Sequence, residues 1–370
     1  MRITLPIRPF GALLVLFALF AGAESRLCVK EPSGVPSAAL DHSLQQKMGK
    51  ILQSYQKDLN ASEVMALVMD PSTGGLVAAL SSSDDEPDSR SRFASYLFEP
   101  GGLMAPFVIA GALEHNESTR LRPDTRIQTD EKRYRIGGPY LLNNTPQYTR
   151  QSVTDILVHA SHVGLAKIAV ALSGEAMYRT LKAFGFGGPT GKKDPHESVG
   201  VLKNEKAFQR KIVRVTIALG HGILVTPLQL LRAYGVFANG GKRVGVPIKK
   251  SKRVSETQVI SRSVAEEIMN MLRENVRRGT GRVAQVAGLD VGGKTSMARR
   301  VEKGRYVNRF NAGFYGFAQK NDHTYVIGIL ILDPQRTQGH DLASAAPFLF
   351  AQVAKILERH GLFDDKKESE

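Results

Sequence analysis

The chain has 370 residues, 42% of them hydrophobic and 23% charged, with a formal net charge of +15. That length buries a sizeable core in one large domain or two intimate subdomains, and the ordinary composition excludes a repeat array or low-complexity chain. Cys28 is the only cysteine, so no intramolecular disulfide is possible and core burial alone holds the domain together.

The first 23 residues differ from the rest. Arg2 and Arg8 open the chain, an apolar stretch runs from Pro9 to Phe20, and Ala21-Gly22-Ala23 supplies small residues where a signal peptidase reads. The stretch is short against the roughly 20 apolar residues of a membrane span, so residues 1–23 read as a signal peptide, with a retained inner-membrane anchor as the alternative. Arg26 and Leu27 before Cys28 argue against lipidation. Cleavage removes two cations and leaves a mature chain of +13. Such a chain is drawn to an anionic polymer or a membrane surface, and export to a periplasmic or extracytoplasmic space makes nucleic acid a poor candidate.

Residues 24 to 62 read as a linker and short helix. Met48, Ile51, Leu52, Tyr55 and Leu59 recur at helical spacing over 44–59. Val64–Asp70 is a β-rich run, Pro71 to Gly75 a turn and Leu76–Leu80 a second strand, which predicts a hairpin. A polar, acidic loop spans 81–91. Helices are predicted over 103–114, over 153–172 as one largely buried rod, over 176–184 before Gly185, over 227–238 before Asn239-Gly240-Gly241, over 263–277 and over 344–360. Strands are predicted over 289–298, 311–318 and 324–332. Short turns between the last strands favour antiparallel pairing and an α+β fold. Residues 63–360 form the main domain, and 361–370 a charged tail.

Several stretches together resemble one family. Met69 to Ala78 (MDPSTGGLVA) is similar to the opening hairpin of class B penicillin-binding proteins, the transpeptidases of cell division and elongation. Phe98-Glu99-Pro100-Gly101, with Pro106-Phe107, resembles the surroundings of their nucleophile motif. Gly220 to Leu230 (GHGILVTPLQL) resembles a further stretch of that family, and Gly293-Lys294-Thr295, after Gly279-Thr280-Gly281, its K-T-G strand. The likeness runs from about 64 to 357. It implies a β-lactamase/transpeptidase-like fold, with a mainly antiparallel sheet flanked by helices plus a helical subdomain. It also implies that the N-terminal hairpin shares one sheet with the C-terminal strands.

The family's chemistry rests on three motifs. The serine of S-x-x-K attacks a peptide carbonyl and the lysine one turn later handles its proton. S-x-N supplies a hydroxyl and an amide, and K-T-G lies along the substrate and completes the oxyanion hole. Here the first motif reads Gly102-Leu103-Met104-Ala105, so glycine and alanine stand at the nucleophile and base positions. Ala160-Ser161-His162 stands for the second. In the third, Lys294 and Thr295 persist, Ser296 replaces the glycine and Met297 follows.

Gly102, Ala105, Ala160, Ser161, His162, Lys294, Thr295 and Ser296 are therefore vestigial site positions, and no catalytic residue is expected. Ser161 and His162, about 100° apart if both lie on one helix, make a poor nucleophile–base pair. His162 reads as a structural histidine in the vacated asparagine space, and His221 as a turn residue. No metal-ligand spacing and no cofactor motif stand out. Basic residues thicken from Lys192 to Arg309, including Lys249 to Arg253, Arg277, Arg278 and Arg282. Arg299, Arg300, Lys303 and Arg305, just past the K-T-S strand, are the candidate binding residues. The reading is a catalytically inactive binding or regulatory protein, partnered with peptidoglycan or with cell-wall synthesis and division proteins. Its alternatives are a D,D-transpeptidase or carboxypeptidase using non-standard residues, and a reversible sensor of wall peptides or β-lactams.

Overall fold

The computed structural model describes residues 42–83, 89–144, 148–191, 197–246, 255–302, 304–335 and 342–364. The leader, the 24–41 linker, Lys303 and the 249–253 basic run lie outside the described residues.

Helix α1 (His42–Asp58) precedes β1 (Glu63–Met69) and β2 (Leu76–Ser81). The turn between these strands is locally encoded. Asp70 accepts from the Ser72 backbone and hydroxyl at 2.8 and 2.7 Å and from the Thr73 hydroxyl at 2.9 Å. Gly74 then takes φ +70, where a side chain would strain the backbone. The long C-terminal strands are β3 (Asp290–Glu302), β4 (Arg305–Lys320) and β5 (His323–Leu332). Among the described residues they join the hairpin in a five-stranded antiparallel sheet of order β2-β1-β5-β4-β3. Both β3 and β4 run past their predicted ends, because their outer halves pair with each other where no apolar alternation marks a strand.

Strand β1 is buried at every position, as expected for a central strand covered on both faces. Its side chains alternate between two cores. Met65, Leu67 and Met69 meet the helical subdomain, whereas Val64, Ala66 and Val68 meet α1 and the C-terminal helix (Leu342–Arg359). Leu44, Met48 and Leu52 of α1 are fully buried in that second core. Helix α1 thus belongs to the domain, not to a linker, and its period-3.6 apolar stripe is the reason.

The helical subdomain contains α2 (Ser89–Ser95), α3 (Ala105–Glu114), α4 (Val153–Val158), α5 (His162–Ala171), α6 (Gly174–Phe184), α7 (Lys211–Ala218), α8 (Pro227–Ala238) and α9 (Arg262–Arg278). Phe107 of α3 sits at its centre, with ring centroids 5.0 Å from Phe184 and Phe186, 5.2 Å from Tyr234 and 5.3 Å from Phe237. Helix α8 starts at Pro227 behind a capping box in which Thr226 and Gln229 exchange hydrogen bonds of 3.1 Å.

The rod predicted over 153–172 is two helices. Ala160 takes φ +53 and breaks the path, and Ser161 caps α5. Apolar periodicity continues across the break, so the pattern concealed it. Short pairs at Arg126–Gln128 with Arg150–Ser152, and at Arg133–Gly137 with Tyr140–Asn143, were not anticipated. Each strand is only three to five residues long, too short for alternation to mark it.

Candidate functional site

The segment before α3 is placed by backbone contacts. Phe98 and Val225 exchange hydrogen bonds of 3.1 Å, and the Gly101 N–H donates to the Gly220 carbonyl at 3.1 Å. A Cβ on Gly220 would fall 2.0 Å from the Gly101 carbonyl oxygen, so only glycine allows this approach. The chain then makes a single 3-10 turn, Gly101–Met104, and enters α3. At Gly102 a Cβ would lie 3.0 Å from the Thr295 carbonyl oxygen and 3.8 Å from Lys294 Nζ. Ala105 is buried one turn later. The fold therefore brings Gly102 against Lys294, Thr295 and Ser296.

Lys294 is 1% exposed. Its ammonium donates to the Thr295 carbonyl at 3.1 Å and to the Thr295 hydroxyl at 3.4 Å. Burial pushes its pKa down to about 8. The Thr295 and Thr280 hydroxyls lie 2.7 Å apart. Asn275, fully buried, donates to the Thr280 hydroxyl at 3.1 Å and to the Val158 carbonyl at 2.8 Å, which ties the K-T-S strand to the end of α4. The Ser296 hydroxyl donates to the Pro100 carbonyl at 2.8 Å. It fastens β3 to the turn that carries Gly102.

The second motif differs from expectation. Ser161 does not lie within a helix; it is the N-cap of α5, and its hydroxyl accepts the Gly164 N–H at 3.3 Å. The argument from helical spacing to His162 thus gives way to a simpler one: the hydroxyl serves as a cap. His162 opens α5, and desolvation first, then the nearby positive Lys294, hold its imidazole below the ordinary histidine range. The neutral imidazole is therefore the form present at neutral pH.

His221 is more than a turn residue. Its Nδ1 lies 2.9 Å from Glu99 Oε2, the Gly222 N–H donates to Glu99 Oε1 at 2.8 Å, and the Tyr306 hydroxyl donates to Oε2 at 3.0 Å. Glu99 thus joins the α3 entry, the turn before α8 and the tip of the β3–β4 hairpin. The sequence offered Glu99 inside a motif but gave no local sign of partners more than 100 residues away.

The candidate binding arginines separate. Strand geometry sends Arg299 and Arg300 to opposite faces. Arg299 is exposed and rests over the Phe310 ring at 5.8 Å, whereas Arg300 is half-buried with Glu302 at 3.6 Å. Arg305 is exposed beyond them. Arg277 and Arg278 both pair with Glu274, and Arg278 also with Asp155. Among the described residues no group of three His, Cys, Asp or Glu side chains could hold a metal, and no helix is long and apolar enough to cross a membrane.

Residues 64–355 match the penicillin-binding protein transpeptidase domain. The chain belongs to that family. The probable peptidoglycan D,D-transpeptidase PenA of Neisseria flavescens is 31% identical over 280 residues, covering 72% of this chain and 68% of the relative. The peptidoglycan D,D-transpeptidase FtsI of Escherichia coli K12 is 27% identical over 339 residues, covering 88% and 56%. The chain thus spans between about half and two thirds of these relatives' own length. Among solved structures, the apo transpeptidase domain of Burkholderia pseudomallei penicillin-binding protein 3 aligns with TM-score 0.78 and 25% identity, covering 87% of this chain and 95% of that one. The transpeptidase fold, an α+β layer with a mainly antiparallel sheet, follows.

Proposed function

We propose that this transpeptidase domain is catalytically silent and acts, after export, as a binding or regulatory protein in peptidoglycan synthesis or cell division. The observation that carries this reading is Gly102. At the start of the helix, facing Lys294 and Thr295, the chain offers no oxygen or sulfur to attack a carbonyl, and Ala105 offers no base. The two nearby serine hydroxyls are already engaged. The Ser296 hydroxyl donates to the Pro100 carbonyl and the Ser161 hydroxyl caps α5. Removing the nucleophile alone costs a serine hydrolase on the order of 10⁶ in turnover, and here the base is missing as well.

Incubation with benzylpenicillin followed by intact mass spectrometry tests the reading. The mass should stay unshifted over hours at millimolar drug. A stoichiometric penicilloyl adduct mapped to Ser161 or Ser296 would overturn it in favour of acyl transfer by non-standard residues.

A further inference from the structure

We infer that a cavity between the C-terminal end of α8, one face of α9 and the end of the β4–β5 hairpin is a binding site for an uncharged N-acylated amino sugar. Its volume is about 650 Å³, within the roughly 300–1,000 Å³ of small-molecule sites. Among the described residues, its lining includes none of the vestigial site positions.

Arg273 of α9 organises the cavity. Its Nε donates to Asp290 at 2.7 Å, Nη1 to Asn270 Oδ1 at 2.9 Å and Nη2 to Gln319 Oε1 at 3.3 Å. The guanidinium also lies over the Phe317 ring at 5.1 Å. Asp290, Gln319 and Thr324 stand opposite one another across β3, β4 and β5, so they share one face of the sheet. A guanidinium only donates, so the amide atoms that meet it are the oxygens. Both amide nitrogens are thereby left as donors. Among the described residues neither of them, nor the Thr324 hydroxyl, has a hydrogen-bond partner, and all three residues line the cavity. At the end of α8, Asn239 donates its amide nitrogen to the Lys242 carbonyl at 3.3 Å, which leaves its oxygen as an acceptor. Phe237 and Met269, both buried, supply the apolar part of the wall.

Charge selects the class of ligand. Each charged side chain of the lining is paired: Arg273 with Asp290 at 2.7 Å, Lys242 with Glu256 at 3.1 Å and Arg262 with Glu266 at 2.9 Å. A phosphate or carboxylate would have to displace one of those acids. What remains unpaired is neutral: amide and hydroxyl donors and one amide acceptor. That set suits a ligand with a carbonyl, several hydroxyls that both donate and accept, and a methyl for the apolar wall. An N-acetylated sugar has all three. A peptide strand fits less well, because it adds to an open sheet edge. Here Gln319 is already paired on both sides, with Asp290 and with Thr324. The proposal deepens the binding role proposed above, and rests on it for the source of the sugar, the glycan of the wall.

Saturation-transfer NMR of the full chain with di-N-acetylchitobiose tests it, with cellobiose as the disaccharide that lacks acyl groups. The acetyl methyl should receive strong transfer, and cellobiose should bind about tenfold more weakly. Asn270→Asp/Gln319→Glu keeps the oxygens that Arg273 holds and turns both donor nitrogens into acceptors. It should weaken chitobiose binding about tenfold or more without lowering the melting midpoint. Asn270→Ala/Thr324→Val should weaken it comparably. Equal affinity for the two sugars, no chitobiose binding at millimolar concentration, or binding unchanged in both double variants would overturn the proposal. Transfer to an acetylated tripeptide in place of the sugar would overturn it in favour of a peptide site. Retention on purified sacculi should fall in the same variants, and chitobiose binding without such retention would refute the wall glycan as the source. Acylation by benzylpenicillin, which would overturn catalytic silence, is a separate readout from all of these.

Discussion

Restoring the missing pair, Gly102→Ser with Ala105→Lys, should not restore acylation. The new Cβ at position 102 meets the Thr295 carbonyl oxygen at 3.0 Å, so β3 must yield by a few tenths of an ångström. Ser296, bonded to Pro100 at 2.8 Å, holds β3 against that movement. At position 105 a lysine enters a site that is 5% exposed, where Lys294 is already a buried cation. Overpacking a core site costs about 1–3 kcal/mol, and a second unpaired ammonium adds desolvation on the order of 1 kcal/mol or more. A total of about 2–4 kcal/mol lowers the melting midpoint by roughly 5–10 °C for a domain of this size. Nor is there a proton path, because Ala160 lacks a hydroxyl and His162 stands in the amide's place. Differential scanning fluorimetry and intact mass after benzylpenicillin measure both effects. An unchanged midpoint together with a stoichiometric adduct at position 102 would refute the reasoning, because β3 would then be free to open.

Ser161→Ala should leave the absence of acylation unchanged while destabilising the fold by about 1 kcal/mol through loss of the α5 cap, read from urea unfolding. Lys294→Met should raise the melting midpoint at pH 7. Because the folded pKa lies below the unfolded one, the charged lysine opposes folding below about 8, and the variant's advantage should fade as pH rises from there toward the ordinary lysine value. Asp155 is held below its ordinary range: burial raises it, but the Ser152 hydroxyl and Arg278 outweigh that. Asp333 is lowered by its bond to Arg309. Both contribute stability above the unfolded carboxylate range that is lost as pH falls through their folded values, so Arg309→Gln should flatten the acid limb of a pH–stability curve. N-terminal sequencing of exported protein should begin at Glu24; a chain retaining Met1 and extracted only by detergent would refute leader cleavage.

Short-range patterns carried much of this protein in its sequence. The turn 71–75 and helix 227–238 were legible because Asp70, Gly74, Thr226 and Pro227 enforce them through neighbours within a few residues. The order of motifs gave the family, and the absence of a side chain at Gly102 is a fact no tertiary contact can alter. What the tertiary structure alone decided are relations across long chain separations. The break at Ala160 is hidden because periodicity reports only which side is buried, and both helices bury the same kind of residue. That made Ser161 look like part of a rod when its hydroxyl is a cap. The Glu99–His221–Tyr306 cluster joins three segments whose meeting depends on how β3 and β4 close over α3. Charge told the same lesson. A run of basic letters near Arg299 and Arg300 suggested one face, but strand alternation sends neighbours to opposite sides and ion pairing silences many of the rest.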